Sequence, residues 1–306
     1  MKPLRIGSRG SALALWQAEF VRDWLAREAG ARAEIITIRT AGDHFQQGSV
    51  AAIGQKGVFI KEIEDALLAG TVDLAVHSLK DVPTEIPQGL LLAAVPERND
   101  PRDCLVSRSG AGLGTLPRGA RVGTSSLRRQ AQLRRARPDV EVRELRGNVD
   151  TRLRRVEEGT LDAAVLAYAG LRRLKFDGRV TEILSPEVML PAVGQGALAV
   201  ETRAEDRGTR QCLAAFEHAE TRAAVTAERA VLASLEGGCQ VPLGAWGRVE
   251  GGRLVLDACV CAVDGSEVVR DRASGPADQP EALGRALGER LRAAGADRLL
   301  RLAGRT

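Results

Sequence analysis

Aromatic residues are scarce in this 306-residue chain: phenylalanine, tryptophan and tyrosine together make up 3%. Its core must therefore be built from leucine, valine, alanine and isoleucine. No apolar run reaches the ~20 residues that a membrane-spanning helix needs, so no membrane partner is expected. The N-terminus, Met1-Lys2-Pro3-Leu4-Arg5-Ile6-Gly7, passes straight into a strand-like segment, which reads as no signal peptide and a cytoplasmic protein. The five cysteines, at 104, 212, 239, 259 and 261, are odd in number and lack metal-ligand spacing, so no metal site is expected. Cys259 and Cys261 lie two apart in an apolar run and read as core residues on one strand face.

What is present is ordinary in bulk, with 44% hydrophobic and 27% charged residues in a length that allows two or three domains. The charge is unevenly placed. Residues 118–155 hold twelve arginines against four acids, an excess of eight, whereas the whole chain carries only +4. Such a concentration of arginine implies an anionic partner. Single-stranded nucleic acid is disfavoured, because no aromatic side chain that could stack on bases lies among these arginines, and no nucleic-acid partner is expected.

Along the chain, residues 4–8 read as a strand, 11–29 as an amphipathic helix capped by Ser11 and ended by Gly30, and 34–40 as a second strand. The Gly- and Gln-rich stretch 41–57 reads as a lid with glycine hinges, and a helix follows at 58–69. The apolar run Val72–Val76 then reads as a buried parallel strand ending in His77-Ser78-Leu79-Lys80-Asp81-Val82-Pro83. From residue 121 the plan repeats. Arg121-Val122-Gly123-Thr124 resembles Arg5-Ile6-Gly7-Ser8, helices are expected at 126–136 and 149–157 around a strand at 140–145, and Gly159–Val165 matches Gly70–Val76 as G-T-x-D-x-A-V. Two βαβαβ units of one layout predict two similar α/β lobes with a ligand cleft. After about 219 the pattern becomes a helix (221–235), three strands near 243–249, 253–262 and 267–272, and a closing helix at 280–294, an α+β domain.

Four constellations carry candidate chemistry. His77–Pro83 places a lysine beside an aspartate at a strand end, where α/β sheets bind ligands; a solvated turn is the alternative. In Arg121–Arg129, a strand turns through Thr124, Ser125 and Ser126 into a helix bearing Arg128 and Arg129. This reads as an anion site, since N-capping accounts for one hydroxyl but not for arginines in the first turn. Arg146 before the Gly147 turn and Arg152 after it repeat the arrangement, and Arg9 with Ser11 adds a further cation after the first strand. Arg134, Arg135, Arg137, Arg154 and Arg155 read as a solvated face. The fourth is Leu235-Glu236-Gly237-Gly238-Cys239-Gln240-Val241-Pro242. A thiol on a Gly-Gly turn is more available than Cys259 or Cys261, the alternative being an ordinary buried cysteine.

HSLKDVP, GTSSLRRQAQL, LRGNVDTRL, LPAVGQGAL and LEGGCQVPLG together resemble the porphobilinogen deaminase (hydroxymethylbilane synthase) family over nearly the whole chain, in order. The resemblance implies two periplasmic-binding-protein-like α/β lobes, at 1–96 plus about 195–216 and at 102–192, and a small α+β C-terminal domain at 219–306. It implies a transferase that joins four porphobilinogen molecules head to tail with loss of ammonia and then releases hydroxymethylbilane by hydrolysis. It also implies a dipyrromethane cofactor held as a thioether on Cys239, Asp81 as the catalytic carboxylate that stabilises cationic pyrrole intermediates, and a monomer. Arg9, Lys80, Arg128, Arg129, Arg146, Arg152 and Arg173 match carboxylate-binding positions, with Ser11, Ser78, Thr124, Ser125, Ser126 and Gly147 beside them. Lys56 and Phe59 match the end of the family's active-site loop, where Ala51-Ala52 supply no further lysine. Each pyrrole bears an acetate and a propionate, so a growing anionic chain gives the many guanidiniums a purpose. A two-lobed anion-binding protein without enzymatic activity is the rival reading, but it leaves the third domain and its cysteine unused.

Overall fold

The computed structural model describes residues 2–40, 60–235 and 241–304. In chain order the elements are β1 (Leu4–Ser8), α1 (Ala12–Glu28), β2 (Ala33–Thr37), α2 (Lys61–Leu68), β3 (Leu74–Ser78), β4 (Leu90–Ala94), β5 (Asp103–Ser107), β6 (Arg121–Gly123), α3 (Leu127–Ala136), β7 (Glu141–Arg143), α4 (Val149–Glu157), β8 (Ala163–Ala167), α5 (Tyr168–Arg173) and β9 (Glu182–Ile183). They continue with β10 (Leu198–Arg203), α6 (Arg207–Leu213), α7 (Ala219–Ser234), β11 (Leu243–Glu250), β12 (Arg253–Cys261), β13 (Val268–Pro276), α8 (Pro280–Ala293) and α9 (Ala296–Ala303). The chain divides into two compact units, residues 1–98 with 197–222, and 99–196 with 223–306.

The first unit holds one five-stranded sheet of order β2-β1-β3-β10-β4, in which β1 pairs in parallel with β2 and β3 while β10 runs antiparallel to β3. The central strand β3 is covered on both faces. Leu74 and Val76 of β3 pack with Val21 and Leu25 of α1, and Ala75 faces Ile63 and Leu67 of α2. Ser11 caps α1 by accepting the Ala14 N–H, and Gly30, at φ 60°, occupies the left-handed position beyond its end.

The second unit repeats that sheet as β7-β6-β8-β5-β9, with β6 parallel to β7 and β8 and with β5 antiparallel to β8. The G-T-x-D echo has a physical cause. Arg5 donates its backbone N–H and Nε to Asp73 Oδ2 and its Nη2 to Asp73 Oδ1 and the Gly70 carbonyl. Arg121 makes the same four bonds to Asp162 and Gly159. The arginine of the first strand thus locks the turn that feeds the third, once in each lobe. The strand expected from Val72 accordingly starts at Leu74, after the locked turn, and runs on through His77 and Ser78, which pair with Ala199 and Leu198 of β10. The strand expected over 140–145 is confined to Glu141–Arg143.

The second unit also contains the α+β domain, a β11-β12-β13 meander. Residues 254, 256, 258 and 260 of β12 point into a core shared with Ala227 and Val231 of α7 and Leu287 and Leu291 of α8. Gly251 and Gly252, at φ 57° and 78°, make the tight hairpin between β11 and β12. The short α9, beyond the helix expected to close the chain, buries Ala296 and Leu299 against the same core. As the composition required, the largest fully buried side chains are leucine, isoleucine and methionine.

Candidate active site

In the first unit, β1 and β3 are adjacent and parallel, so Arg9 and Ser11 after β1, Ser78 at the end of β3 and Lys80 and Asp81 after it emerge at the same edge of one sheet. A single 3-10 turn, Leu79–Asp81, follows β3. Its Leu79 is buried and donates its N–H to the Ala197 carbonyl at 3.0 Å, which fixes the turn and leaves Asp81 exposed. The Ser78 hydroxyl accepts from the buried Gln17 Nε2 at 2.8 Å. One residue earlier, His77 Nε2 and Glu201 Oε2 lie 3.0 Å apart in full burial, tying β3 to β10 behind the turn. Glu64 of α2 lies near enough to feel that pair. Burial, and then the charge of Glu201, push its carboxyl up to about 7, against a smaller opposing effect of His77.

In the second unit, β6 and β7 are parallel neighbours, so the turns after Gly123 and after Arg143 lie at one edge. The three hydroxyls there are engaged in holding the turns. Thr124 Oγ1 accepts from the Ser126 N–H at 3.2 Å, and Ser126 caps α3 by accepting the Arg129 N–H at 3.5 Å. Ser125 Oγ both donates to the Leu145 carbonyl at 2.9 Å and accepts its N–H at 3.1 Å, bridging the ends of β6 and β7. Gly147, at φ 101°, makes a turn that a side chain would fill against Thr151, and Arg152 Nε donates to its carbonyl at 2.8 Å. Arg146 is exposed and pairs with Glu144 at 2.5 Å.

Arg128 and Arg129 are placed differently from the surface arginines around them. They are 3% and 6% exposed and share one fully buried carboxylate, Asp103. Arg128 Nη1 donates to Asp103 Oδ2 and to the Leu190 carbonyl, each at 2.7 Å. Arg129 Nη2 and Nε donate to Asp103 Oδ1 at 2.7 and 3.0 Å, and Gln195 Nε2 to the same oxygen at 2.9 Å. Burial alone would push the Asp103 carboxyl up, but the two guanidiniums and the amide overcome it and hold the group well below the usual carboxylate range. Asp103 reaches this edge because β5 runs antiparallel, with its first residue opposite Ala167, the last of β8. Arg173 of α5 is also buried, donating to the Gly196 carbonyl at 2.7 Å, and burial pulls its guanidinium down to about 10. Of the arginines expected to form a solvated face, Arg135, Arg154 and Arg155 are exposed. Arg134 and Arg137 instead make tethers: Arg134 donates to the Val263 carbonyl, and Arg137 pairs with Asp139 and donates to Leu116.

Asp103, Gln195, Gln17 and the His77–Glu201 pair were not singled out from the sequence. The available signal for Asp103 was an acid abutting the apolar run Cys104-Leu105-Val106. The lid stretch 41–57, Lys56, Phe59 and Cys239 lie outside the described residues. Among the described residues no group of three or more His, Cys, Asp or Glu could hold a metal ion.

Fold and site together define a two-lobed α/β protein with cationic side chains at its strand ends, joined to an α+β domain. Family models match the chain nearly end to end: "Porphobilinogen deaminase, dipyromethane cofactor binding domain" over residues 4–211 and "Porphobilinogen deaminase, C-terminal domain" over 222–293. The porphobilinogen deaminase of Pelobacter propionicus is 52% identical over 300 residues, covering 98% of this chain and 96% of that one. That of Desulforudis audaxviator is 54% identical over 297 residues, 96% of each. A periplasmic substrate-binding protein of an ABC transporter from Coxiella burnetii, 15% identical with a TM-score of 0.44 over 70% of this chain and 91% of that one, is too slight a likeness to carry an argument. The chain belongs to the porphobilinogen deaminase family. It is a transferase of tetrapyrrole biosynthesis that joins four porphobilinogen molecules with loss of ammonia, releases hydroxymethylbilane by hydrolysis, and works with a dipyrromethane cofactor.

Two predictions come from these environments. Asp103→Asn leaves two buried guanidiniums without their counter-charge and costs about 3–5 kcal/mol of stability, read as a lowered denaturation midpoint; a change below ~1 kcal/mol contradicts the pairing. For Glu64 the folded-state value of about 7 lies above the ordinary carboxylate value. The folded protein therefore binds the extra proton between roughly pH 4.5 and 7, and stability falls as pH rises through that window. Glu64→Gln should accordingly raise the melting temperature at pH 8, by the equivalent of about 1 kcal/mol once solvent screening is allowed for, and leave it unchanged at pH 4.5. An equal gain at both pH values contradicts the assignment.

Proposed function

We propose that the edge of the first lobe supplies the reacting carboxylate, Asp81, and that the edge of the second supplies the groups that hold substrate and cofactor carboxylates. The observation that carries this is an asymmetry between two lobes of one plan. After β3 the chain presents Lys80 and an exposed Asp81, whereas after β8 the position equivalent to Asp81 in the repeat is Gly170, buried in α5. Only the first lobe thus has an acid at that place.

The donor set of the second lobe suits a carboxylate-bearing dipyrrole. The buried Nε of Arg128 donates to no partner among the described residues, and planar guanidiniums bind carboxylates bidentately. Arg128, Arg129, Arg146, Arg152 and Arg173, with Thr124, Ser125 and Ser126, would hold such a group through its acetates and propionates, as would Arg9, Ser11, Ser78 and Lys80 in the first lobe. Cys239 would bind it covalently, with Gly147 letting the Arg146 turn close. Lys56 and Phe59 would act at the end of the lid. Bound there, the cofactor supplies the primer to which substrate units are added.

The role of Asp81 follows from charge. When the aminomethyl group of porphobilinogen leaves as ammonia, positive charge develops on the substrate pyrrole. A carboxylate held on a short, anchored turn stabilises that charge without having to reorganise, and it can accept the proton that the new pyrrole–pyrrole bond releases. The neighbouring Lys80 would take a substrate carboxylate and so orient the ring. We further propose a monomer, acting in the cytoplasm on a small molecule and not on nucleic acid. The first two points rest on the family alone; the last is supported by the absence of aromatic residues from the arginine segment 118–155.

Asp81→Asn tests the central assignment. Turnover should fall by about 10²–10⁴-fold with an unchanged melting temperature, because Asp81 is exposed. Turnover within about threefold of the parent, on the ~tenfold-per-1.4-kcal/mol scale, removes Asp81 from the reaction.

A further inference from the structure

Cys259 and Cys261 have no part in the proposed reaction. Both lie on β12, the central strand of the C-terminal sheet, and both are 1% exposed. The even-numbered residues of that strand, from Leu254 to Val260, fill the domain's own core. The two cysteines point to the other face, where they form a separate buried cluster with Ala131 of α3 and with Leu190, between the C-terminal domain and the second lobe. Backbone approach there is close. A side chain at Gly244, the cross-strand neighbour of Cys259, would meet the Leu190 carbonyl at 2.8 Å.

The thiols interact with each other, which makes Cys259 the stronger acid and Cys261 the weaker. Burial opposes ionisation of both, while the guanidiniums of Arg270 and Arg128 favour it at Cys259. Cys259 Sγ also lies 3.9 Å from Gln132 Oε1. Side chains two apart on a strand are separated by roughly 6.6 Å along it, at the long end of the ~4.4–6.8 Å Cα spacing of disulfides, and their Cβ vectors run parallel instead of converging. A direct S–S bond therefore strains the strand, whereas an ion with metal–sulfur bonds of ~2.3 Å spans up to ~4.6 Å between the sulfurs and removes the strain.

We propose that Cys259 and Cys261 form a dithiol site for a thiophilic ion that accepts two thiolates, in the seam between α3 and β12. Soft thiolate pairs select such ions, and two ligands on one rigid strand suit a two-coordinate bridge better than the closed tetrahedral sites of zinc. Binding exchanges two S–H protons for two bonds to the ion, with no change in oxidation state.

Phenylarsine oxide is the probe, because its arsenic forms a stable product only with paired thiols: one arsenic–oxygen group and two thiols give a cyclic dithioarsinite and one water. Applied in equimolar amount to the native holoenzyme, it should add one phenylarsenic per chain by intact mass. Trypsin releases residues 254–270 as a single peptide that contains both cysteines and no others, and the adduct should lie there. Cys259→Ser and Cys261→Ser should each abolish it, and Cys212→Ser should not. Absence of an adduct on the unaltered protein, an adduct on another peptide, or one that survives either single substitution would overturn the proposal. The peptide map needs no variant, so a substitution that impairs folding cannot rescue the idea.

Discussion

Two guanidiniums buried at one sheet edge are tolerable only because a single carboxylate lies between them. Asp103 contacts Arg128 and Arg129 at 2.7 Å, is itself completely enclosed, and takes a third bond from Gln195. Taking any one of these charges out of water costs several kcal/mol, so the cluster holds only while all its members are present. The local architecture serves that requirement. Strand β5 runs against its neighbours to bring Asp103 to the edge, Ser126 sets the start of α3 so that both arginines fall in its first turn, and Gln195 follows the Pro191–Gly194 segment to reach the same oxygen. What results is a pair of cations that are desolvated and held in fixed orientation. Such preorganisation makes charge-assisted hydrogen bonds worth more than they are in water.

The two lobes show how one plan can be put to two uses. The Arg5–Asp73 and Arg121–Asp162 locks are equivalent atom for atom, and each places the third strand of its sheet. Beyond the lock the lobes diverge at the strand ends. One ends in a short turn with an acid, the other in a helix carrying Arg172 and Arg173. The proposed division of labour, an acid at one edge and carboxylate-binding cations at the other, would use that divergence after a shared scaffold.

Much of this was legible in the sequence. The strand–turn–helix pattern located β1, α1, α3 and α4 within a residue or two, because each depends on contacts between near neighbours in the chain, and the G-T-x-D repeat revealed the lobes because both carry the same lock. The order of the sheets was not legible. β5 and β10 enter antiparallel from distant segments, and no local pattern announces which strands they join. The same distance hid the role of Asp103. Arg128 and Arg129 read as part of an anion site, while their resident carboxylate lies 25 and 26 residues away. The strand expected at Val72 began later because Asp73 is committed to Arg5, a contact across 68 residues. The final helix α9 escaped notice because it follows Gly295, whose φ of 101° restarts the chain after an evident helix end.

The account as a whole rests on a dipyrrole tethered at Cys239 and held by the arginine edge, and the mass of the intact protein tests that most directly. Purified from a cell that makes porphobilinogen, the chain should weigh its sequence mass plus two pyrrole units. The whole excess should lie on tryptic peptide 230–248, which contains Cys239 and no other cysteine. A chain of bare sequence mass, or an excess on any other peptide, contradicts the account.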